Sequence, residues 1–136
     1  MLELPGWAKD DPLIAGPIRL LRRVHPMLVH QGQIEKNVFD DKEPGWGLSV
    51  TVWESPADLE DVMRDHEDFS VVCVTAADFR DHGVVIARRP LVGNLNHCEI
   101  FPRLTNSQKK KLKSVHKWVY YADSVLPEHR GALEIF

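Results

Sequence analysis

A stretch of alternating side chains near the middle of the chain constrains its fold most strongly. Between residues 46 and 52, apolar side chains take every second position and small or polar ones take the positions between. This period of two is typical of a β-strand with one buried face, and the β-branched and aromatic content favours the same structure. The apolar face consists of Trp46, Leu48, Val50 and Val52. The opposite face carries Ser49 and Thr51.

Other segments predict a sheet with helices around it. Residues 69–74 are almost continuously apolar, which predicts a strand buried on both faces. Ser55 and Pro56, followed by acidic residues, mark the start of a helix that should end near His66. Further strands are predicted over 18–25, 84–87 and 97–101, a short edge strand over 34–39, and a helical turn over 76–80. A last helix should begin at Thr105 or Asn106 and continue to about residue 122.

This order of elements predicts an α+β fold: a mixed β-sheet of about five to six short strands with two main helices packed on it. A length of 136 residues, 43% hydrophobic and 27% charged, is typical of one globular domain. We therefore expect a single domain over residues 1–136, with an irregular N-terminal segment over 1–16 and an irregular tail over 127–136. Leu133, Ile135 and Phe136 could add an edge strand within that tail.

The composition also limits the classes of function. A net charge of −3 argues against a protein that coats nucleic acid through its overall charge. The apolar runs are too short to span a membrane, and the N-terminus lacks the features of a secretory signal, so we expect a cytoplasmic protein without a membrane partner. Cys73 and Cys98 each lie in a predicted strand, and buried reduced thiols are the expected state.

The segment from Gly93 to Phe101 carries the first candidate for chemistry. Strand geometry places His97 and Glu99 on one face, and a histidine beside a carboxylate can act as an acid/base or metal-binding pair. His-Cys-Glu also matches half of a zinc deaminase signature, but no downstream Pro-Cys-x-x-Cys follows, which excludes that class. The alternative is an exposed strand face near the sheet edge, with no function in catalysis.

An early strand carries the second group of candidates. Arg23 and His25 share one side of it, next to Pro26, where they could face a cleft and grip a phosphate or carboxylate. Alternatively, the arginines pair with acids of the first helix: Asp58, Glu60 and Asp61. Ser49 lacks a Gly-x-Ser-x-Gly elbow and a base nearby in sequence, so an ordinary polar role explains it. If the protein is an enzyme, its catalytic candidates are Arg23, His25, Ser49, His97 and Glu99.

The last predicted helix is rich in lysine. Helical projection places Lys109, Lys110, Lys113 and Lys117 on one broad face, opposite Val115 and Val119. With Arg103, this face could contact an acidic partner or a phosphate backbone, although most such faces are merely solvated. Nucleic-acid binding is therefore possible but not favoured, and a protein partner or homo-oligomer is preferred. The candidate binding residues are Arg103, Lys109, Lys113 and Lys117. The histidine and cysteine spacings predict no metal site, and no glycine-rich loop predicts a cofactor.

The chain resembles a family of small bacterial proteins through three short motifs and a late basic helix. The motifs are Arg23-x-His25-Pro26, Leu48-Ser49-Val50 and Asn96-His97, and the helix ends near Trp118-Val119. The resemblance covers about residues 19 to 120 and implies no particular activity. Proteins of this kind are often small partners in multi-gene bacterial systems, which implies an interaction or accessory module.

A second resemblance is to ADP-ribosyltransferase-like folds. These present an arginine or histidine on an early strand, then a Ser/Thr strand and a late glutamate, an order matched by Arg23 or His25, Ser49 with Thr51, and Glu99. The chain departs from that pattern because it has no Ser-Thr-Ser run and no Glu-x-Glu pair. This resemblance implies a small enzyme acting on a nucleotide or nucleic acid. An enzyme should bring His25 and His97 to one concave pocket.

Overall fold

The computed structural model describes residues 6–41 and 47–122, and the backbone of residues 131–132. Its strands are Arg19–Val24 (β1), Val29–His30 (β2), Gln33–Ile34 (β3), Leu48–Val52 (β4), Ser70–Thr75 (β5), Val85–Arg88 (β6), His97–Phe101 (β7), Lys117–Tyr121 (β8) and Gly131–Ala132 (β9). Its α-helices are Pro56–Met63 (α1), Ala76–Arg80 (α2) and Asn106–Val115 (α3). Single 3₁₀ turns span Pro26–Leu28 and Lys36–Phe39. These elements confirm the α+β class.

One sheet contains seven of the described strands, in the order β6-β7-β4-β1-β5-β8-β9. Every pairing between these strands is antiparallel, whereas we expected a mixed sheet. The reason is that α1 carries the chain across β1. Strands β4 and β5 therefore run in the same direction but on either side of β1, which runs in the opposite direction. Neighbouring strands are antiparallel as a result.

The two faces of the sheet have different coverings. On the core face, residues such as Leu20, Val50 and Ile100 pack against Phe79 of α2 and Leu112 of α3. On the opposite face, α1 covers only one part, where Val62 packs with Leu21, Val71, Cys73 and Val119. The rest of that face, over β4 and β7, carries the polar side chains predicted to share it. We call it the polar face.

Helix α1 is tied to the loop that precedes β7. Asp58 accepts hydrogen bonds from the backbone N–H groups of Glu54 (2.7 Å) and Ser55 (2.9 Å), which satisfies the free amides at the helix start. Its other carboxylate oxygen accepts from Asn96 Nδ2 at 2.8 Å. Because Asn96 directly precedes His97, this contact helps to position the start of β7.

The last predicted helix is too long by about two turns. Helix α3 ends at Val115, and residues 117–121 form β8, which pairs with β5. Val119 is buried against Leu21 in the sheet, while Val115 is 43% exposed. Residues 36–39 form a 3₁₀ turn where a short edge strand was expected. The tip of the β2–β3 hairpin has positive φ angles of 52° at Gln31 and 77° at Gly32.

The N-terminal segment was predicted to be irregular, as was the tail over 127–136. Residues 6–17 form no helix or strand. Most of the tail over 127–136, including Leu133, Ile135 and Phe136, lies outside the described residues, but Gly131–Ala132 pairs with β8. Among the described helices, none has the length and hydrophobicity needed to cross a membrane.

The two cysteines are buried, free thiols, as expected. Cys73 packs under α1 on one face of the sheet and Cys98 lies in the core on the other face, so the sheet itself separates them. Burial raises the pKa of each thiol to about 11, which keeps both protonated at neutral pH.

Candidate functional site

The sheet opens between β1 and β4. These strands pair only at Leu20–Val52 and Leu21–Thr51, whereas β1 continues to pair with β5 as far as Val24. Strand β4 likewise continues to pair with β7 as far as Leu48. The two halves of the sheet therefore separate beyond Leu21 and Thr51, and we call this gap the split.

Arg22 bridges the split with its side chain. Its guanidinium donates to the carbonyl oxygens of Ser49 (3.0 Å), Val38 (2.8 Å) and Asp40 (3.2 Å). One of these carbonyls belongs to β4, so the side chain takes the place of missing strand hydrogen bonds. Burial lowers the pKa of Arg22 to about 10, with a further lowering by Arg23 and an opposing effect from Asp40 and Asp41. The group remains a cation at neutral pH.

Two adjoining clefts lie at the split. The larger cleft has a volume of about 670 Å³, and the smaller cleft has a volume of about 230 Å³. The smaller one lies between the end of α1 and the loop at residues 91–94. Both clefts are lined by Arg22, Arg23, Ser49, Leu91 and His97. His25 and Glu99 line the larger cleft as well, so it includes all five residues predicted as catalytic candidates.

Ser49 and His97 form a close hydrogen-bonded pair in these clefts. Antiparallel pairing sets Ser49 opposite Glu99 and Thr51 opposite His97, which makes Ser49 and His97 diagonal neighbours on the polar face. The distance from Ser49 Oγ to His97 Nε2 is 2.6 Å. A base therefore reaches Ser49 from β7 through strand pairing, although none is near it in the sequence.

The second ring nitrogen of His97 fixes the direction of this hydrogen bond. His97 Nδ1 lies 2.9 Å from the carbonyl oxygen of Arg89. Because a carbonyl oxygen only accepts, Nδ1 carries the proton, and Nε2 of the neutral ring accepts from the Ser49 hydroxyl. Burial lowers the pKa of His97, opposed by the Arg89 carbonyl and Glu99. The neutral, proton-accepting form is thus favoured at neutral pH.

Glu99 is a buried structural anchor beneath this pair. It is 1% exposed, and its two carboxylate oxygens accept from Gly47 N at 2.8 Å and Arg89 Nη1 at 2.7 Å. A Cβ on Gly47 would lie only 2.7 Å from the carbonyl oxygen of Ile100, so only glycine permits this close approach. Glu99 thereby holds both the entry to β4 and the residue whose carbonyl orients His97.

The β7 strand has none of the exposure that the alternative interpretation required. All five of its residues are buried, and β6 lies outside it in the sheet. The interpretation of His97 and Glu99 as part of an exposed strand face is therefore wrong.

Arg23 and His25 occupy different depths of the larger cleft. Arg23 is half-buried and donates from Nη1 to the carbonyl oxygen of Val62 at 3.0 Å. It makes no ion pair with Asp58, Glu60 or Asp61, contrary to the alternative of surface pairing with α1. His25 is exposed at the rim, where its Nδ1 accepts from Met27 N at 3.1 Å and its ring contacts Phe69 edge-on.

The four predicted binding residues do not form one basic helix face. Lys109 is 8% exposed and pairs with Asp40, while Arg103 donates to Asp41 at 2.8 Å. Lys117 lies in β8, beyond the end of α3, so the projected continuous face is wrong. Lys113 is half-buried near that end. Lys109 and Arg103 therefore form ion pairs with Asp40 and Asp41, which line the larger cleft.

Sequence reasoning missed three residues that build the site. These are Arg22, which bridges the split, Arg89, which orients His97, and Gly47, which binds Glu99. The alternation along the early strand places Arg22 and Arg23 on opposite faces, but it does not predict that Arg22 contacts β4. Only the register between strands brings these residues together.

Among residues 6–41 and 47–122, no cluster of three or more histidine, cysteine or acidic side chains could hold a metal ion. Comparisons of the chain with protein-family models, with curated proteins and with solved structures found no match.

Proposed function

We propose that the protein is a small hydrolase that cleaves an ester by nucleophilic catalysis at Ser49. The observation that carries this proposal is the 2.6 Å contact between Ser49 Oγ and an oriented, neutral His97 in a cleft. A nucleophile within hydrogen-bond reach of a base that a third group orients is the arrangement of serine hydrolases. Here the carbonyl oxygen of Arg89 takes the place of the third group.

The proposed reaction proceeds in two steps. Ser49 Oγ attacks the acyl carbon while its proton passes to His97 Nε2, and the leaving alcohol then takes that proton as its bond to the acyl carbon breaks. A water molecule next gives a proton to His97 Nε2 and attacks the acyl group, and Ser49 recovers its hydrogen as the acid is released. The Arg89 carbonyl stabilises the imidazolium formed in each step because it accepts from Nδ1.

A covalent probe tests this proposal. We expect a fluorophosphonate reagent to add once to the wild-type protein, on the peptide that contains Ser49, as measured by intact mass and peptide mapping. Ser49→Ala should abolish this adduct. Ser107→Ala is the matched control, because Ser107 is an exposed serine on α3, and it should label like the wild type. Equal labelling of Ser49→Ala and wild type, or no labelling of either, would contradict the proposal.

A second candidate function is the interaction module suggested by the first resemblance. It is favoured by exposed apolar side chains in the loop between β6 and β7, where Val92 is fully exposed and Leu95 is 71% exposed. Apolar side chains grouped in one exposed loop are typical of a contact surface. On the lysine-rich helix, Lys109 is not available to a partner in the same way, since it is paired with Asp40.

Association between copies of the chain is the form of this candidate that is simplest to measure. We expect light scattering after size exclusion to give a mass that rises with concentration from 15.6 kDa towards twice that value. The double change Val92→Ser with Leu95→Ser should remove the rise. Leu13→Ser is the control, since Leu13 is an equally exposed apolar residue outside the loop. A mass of 15.6 kDa at every concentration argues against self-association.

A further inference from the structure

The charges that line the larger cleft do not balance. Each of its three carboxylates has a basic partner: Asp40 pairs with Lys109, Asp41 with Arg103, and Glu99 with Arg89. Arg22 and Arg23 line the same cleft, and neither forms an ion pair with a carboxylate of the described residues. Among the described residues, Asp40 and Asp41 lie near enough to Arg22 to oppose the lowering of its pKa, and Arg23 is left without a compensating carboxylate at the split.

The two arginines differ in what they have left to offer. Each of the three guanidinium nitrogens of Arg22 donates to a backbone carbonyl oxygen across the split. Arg22 therefore holds the walls of the cleft together and has no nitrogen left without a partner. Arg23 uses only Nη1, on the carbonyl oxygen of Val62 and beside His66. Within the described part of the chain, Nε and Nη2 of Arg23 have no hydrogen-bond partner. Together these two nitrogens form the edge of a guanidinium that binds oxyanions in a bidentate manner.

Leaving such a cation half-buried without an anion is unfavourable. Burial alone lowers the pKa of Arg23, with no carboxylate opposing it. A half-buried charge loses part of its hydration, and within the described residues neither a carboxylate nor an acceptor on Nε or Nη2 offsets that loss for Arg23. A bound anion would supply both.

The position of Arg23 places such an anion beside the reactive pair. Leu21 and Thr51 face each other across β1 and β4, and Arg23 and Ser49 are the next residues on the same face in the direction of the split. Arg23 and Ser49 also line both clefts. In the smaller cleft Asp61 is paired with Arg64, but Asp65 is an additional acid, so the larger cleft is the better place for an anion.

We propose that the larger cleft binds an oxyanion, the phosphate or carboxylate group of a small substrate, on the Nε/Nη2 edge of Arg23. This proposal rests on the proposed hydrolase and names the class of its substrate: an ester that carries a separate anionic group. Arg23 is then the specificity residue, and Ser49 and His97 act on the ester bond beside it.

Direct binding measurements test the anion site separately from catalysis. The probes are phenyl phosphate and benzoate, which differ in the oxyanion, and benzyl alcohol as a neutral molecule of similar shape. We expect one or both anions to bind in a calorimetric or NMR titration, with much weaker binding of benzyl alcohol. Arg23→Gln should raise the dissociation constant at least about tenfold, the effect expected for loss of charge-assisted hydrogen bonds.

Three further variants separate the possible explanations. Lys110→Gln removes an exposed positive charge elsewhere and should leave binding unchanged. Arg23→Lys keeps the charge without the fork and should give intermediate affinity, which also guards against misfolding of Arg23→Gln. Ser49→Ala should bind the anions like the wild type. Anion binding is therefore tested independently of the proposed hydrolase activity. Equal affinity of wild type and Arg23→Gln, equal binding of benzyl alcohol, or no binding of either anion at millimolar concentration overturns the proposal.

Discussion

Replacing His97 with alanine should lower kcat/KM for ester hydrolysis by about 10²- to 10⁴-fold, the usual contribution of a positioned general base. The physical reason is the 2.6 Å contact from Ser49 Oγ to His97 Nε2, which gives the hydroxyl proton a place to go. Ser49→Ala should cost a similar factor. The double variant should lose no more than either single variant, because the two groups act as a unit.

The pH profile of the reaction identifies the base. Since burial lowers the pKa of His97 below its ordinary value of 6.5, the ring stays neutral as the pH falls through 6.5. We therefore expect kcat/KM to stay constant as the pH is lowered past 6.5 and to fall only in more acidic solution. This fall at acidic pH should be absent in His97→Ala. His30→Ala is the control, since His30 is exposed and pairs with Glu35. A midpoint above 6.5, or multiplied losses in the double variant, would sink the assignment.

Replacing Glu99 with alanine should lower the free energy of unfolding by about 3 kcal/mol, as expected when one partner of a buried ion pair is removed. The loss lies at the low end of the usual range because the Arg89 side chain is 30% exposed and regains some hydration. The change also leaves Gly47 N without its acceptor next to β4. Urea unfolding at neutral pH measures the effect.

Two further variants make this result specific. Glu99→Gln retains the volume and one acceptor oxygen, so it should cost less than Glu99→Ala. Glu35→Ala removes a carboxylate from the exposed pair with His30 and should cost less than about 1 kcal/mol. If Glu99→Ala and Glu35→Ala are equally stable, the buried anchor contributes nothing special to the fold.

Local patterns predict most of the elements in this chain because the information they need is local. The alternation around Leu48–Val52, the apolar run at Ser70–Thr75 and the cap before Pro56–Met63 each correspond to an observed element. One of the exceptions shows where such local information fails. Residues 117–121 continue the helical spacing of α3, yet their aromatic and β-branched side chains pair with β5 as β8. Pairing with a distant strand overrides a local preference there.

The sequence by itself determined which side chains share a face, because the period of a strand is a property of a single segment. It placed His97 with Glu99, and Ser49 with Thr51, on faces opposite to the apolar residues, and the structure agrees. It also placed Arg23 and His25 on one early strand, but β1 ends at Val24 and His25 caps the 3₁₀ turn that follows. The candidate residues were therefore predictable one strand at a time.

Only the tertiary structure decided what these residues do to one another. The register between β4 and β7, two strands far apart in sequence, brings Ser49 Oγ to 2.6 Å from His97 Nε2. The separation of β1 from β4 then opens the clefts and leaves Arg23 without a carboxylate partner among the described residues. Register and separation depend on the packing of the whole chain, since no residue within a single strand specifies the strand that it will pair with.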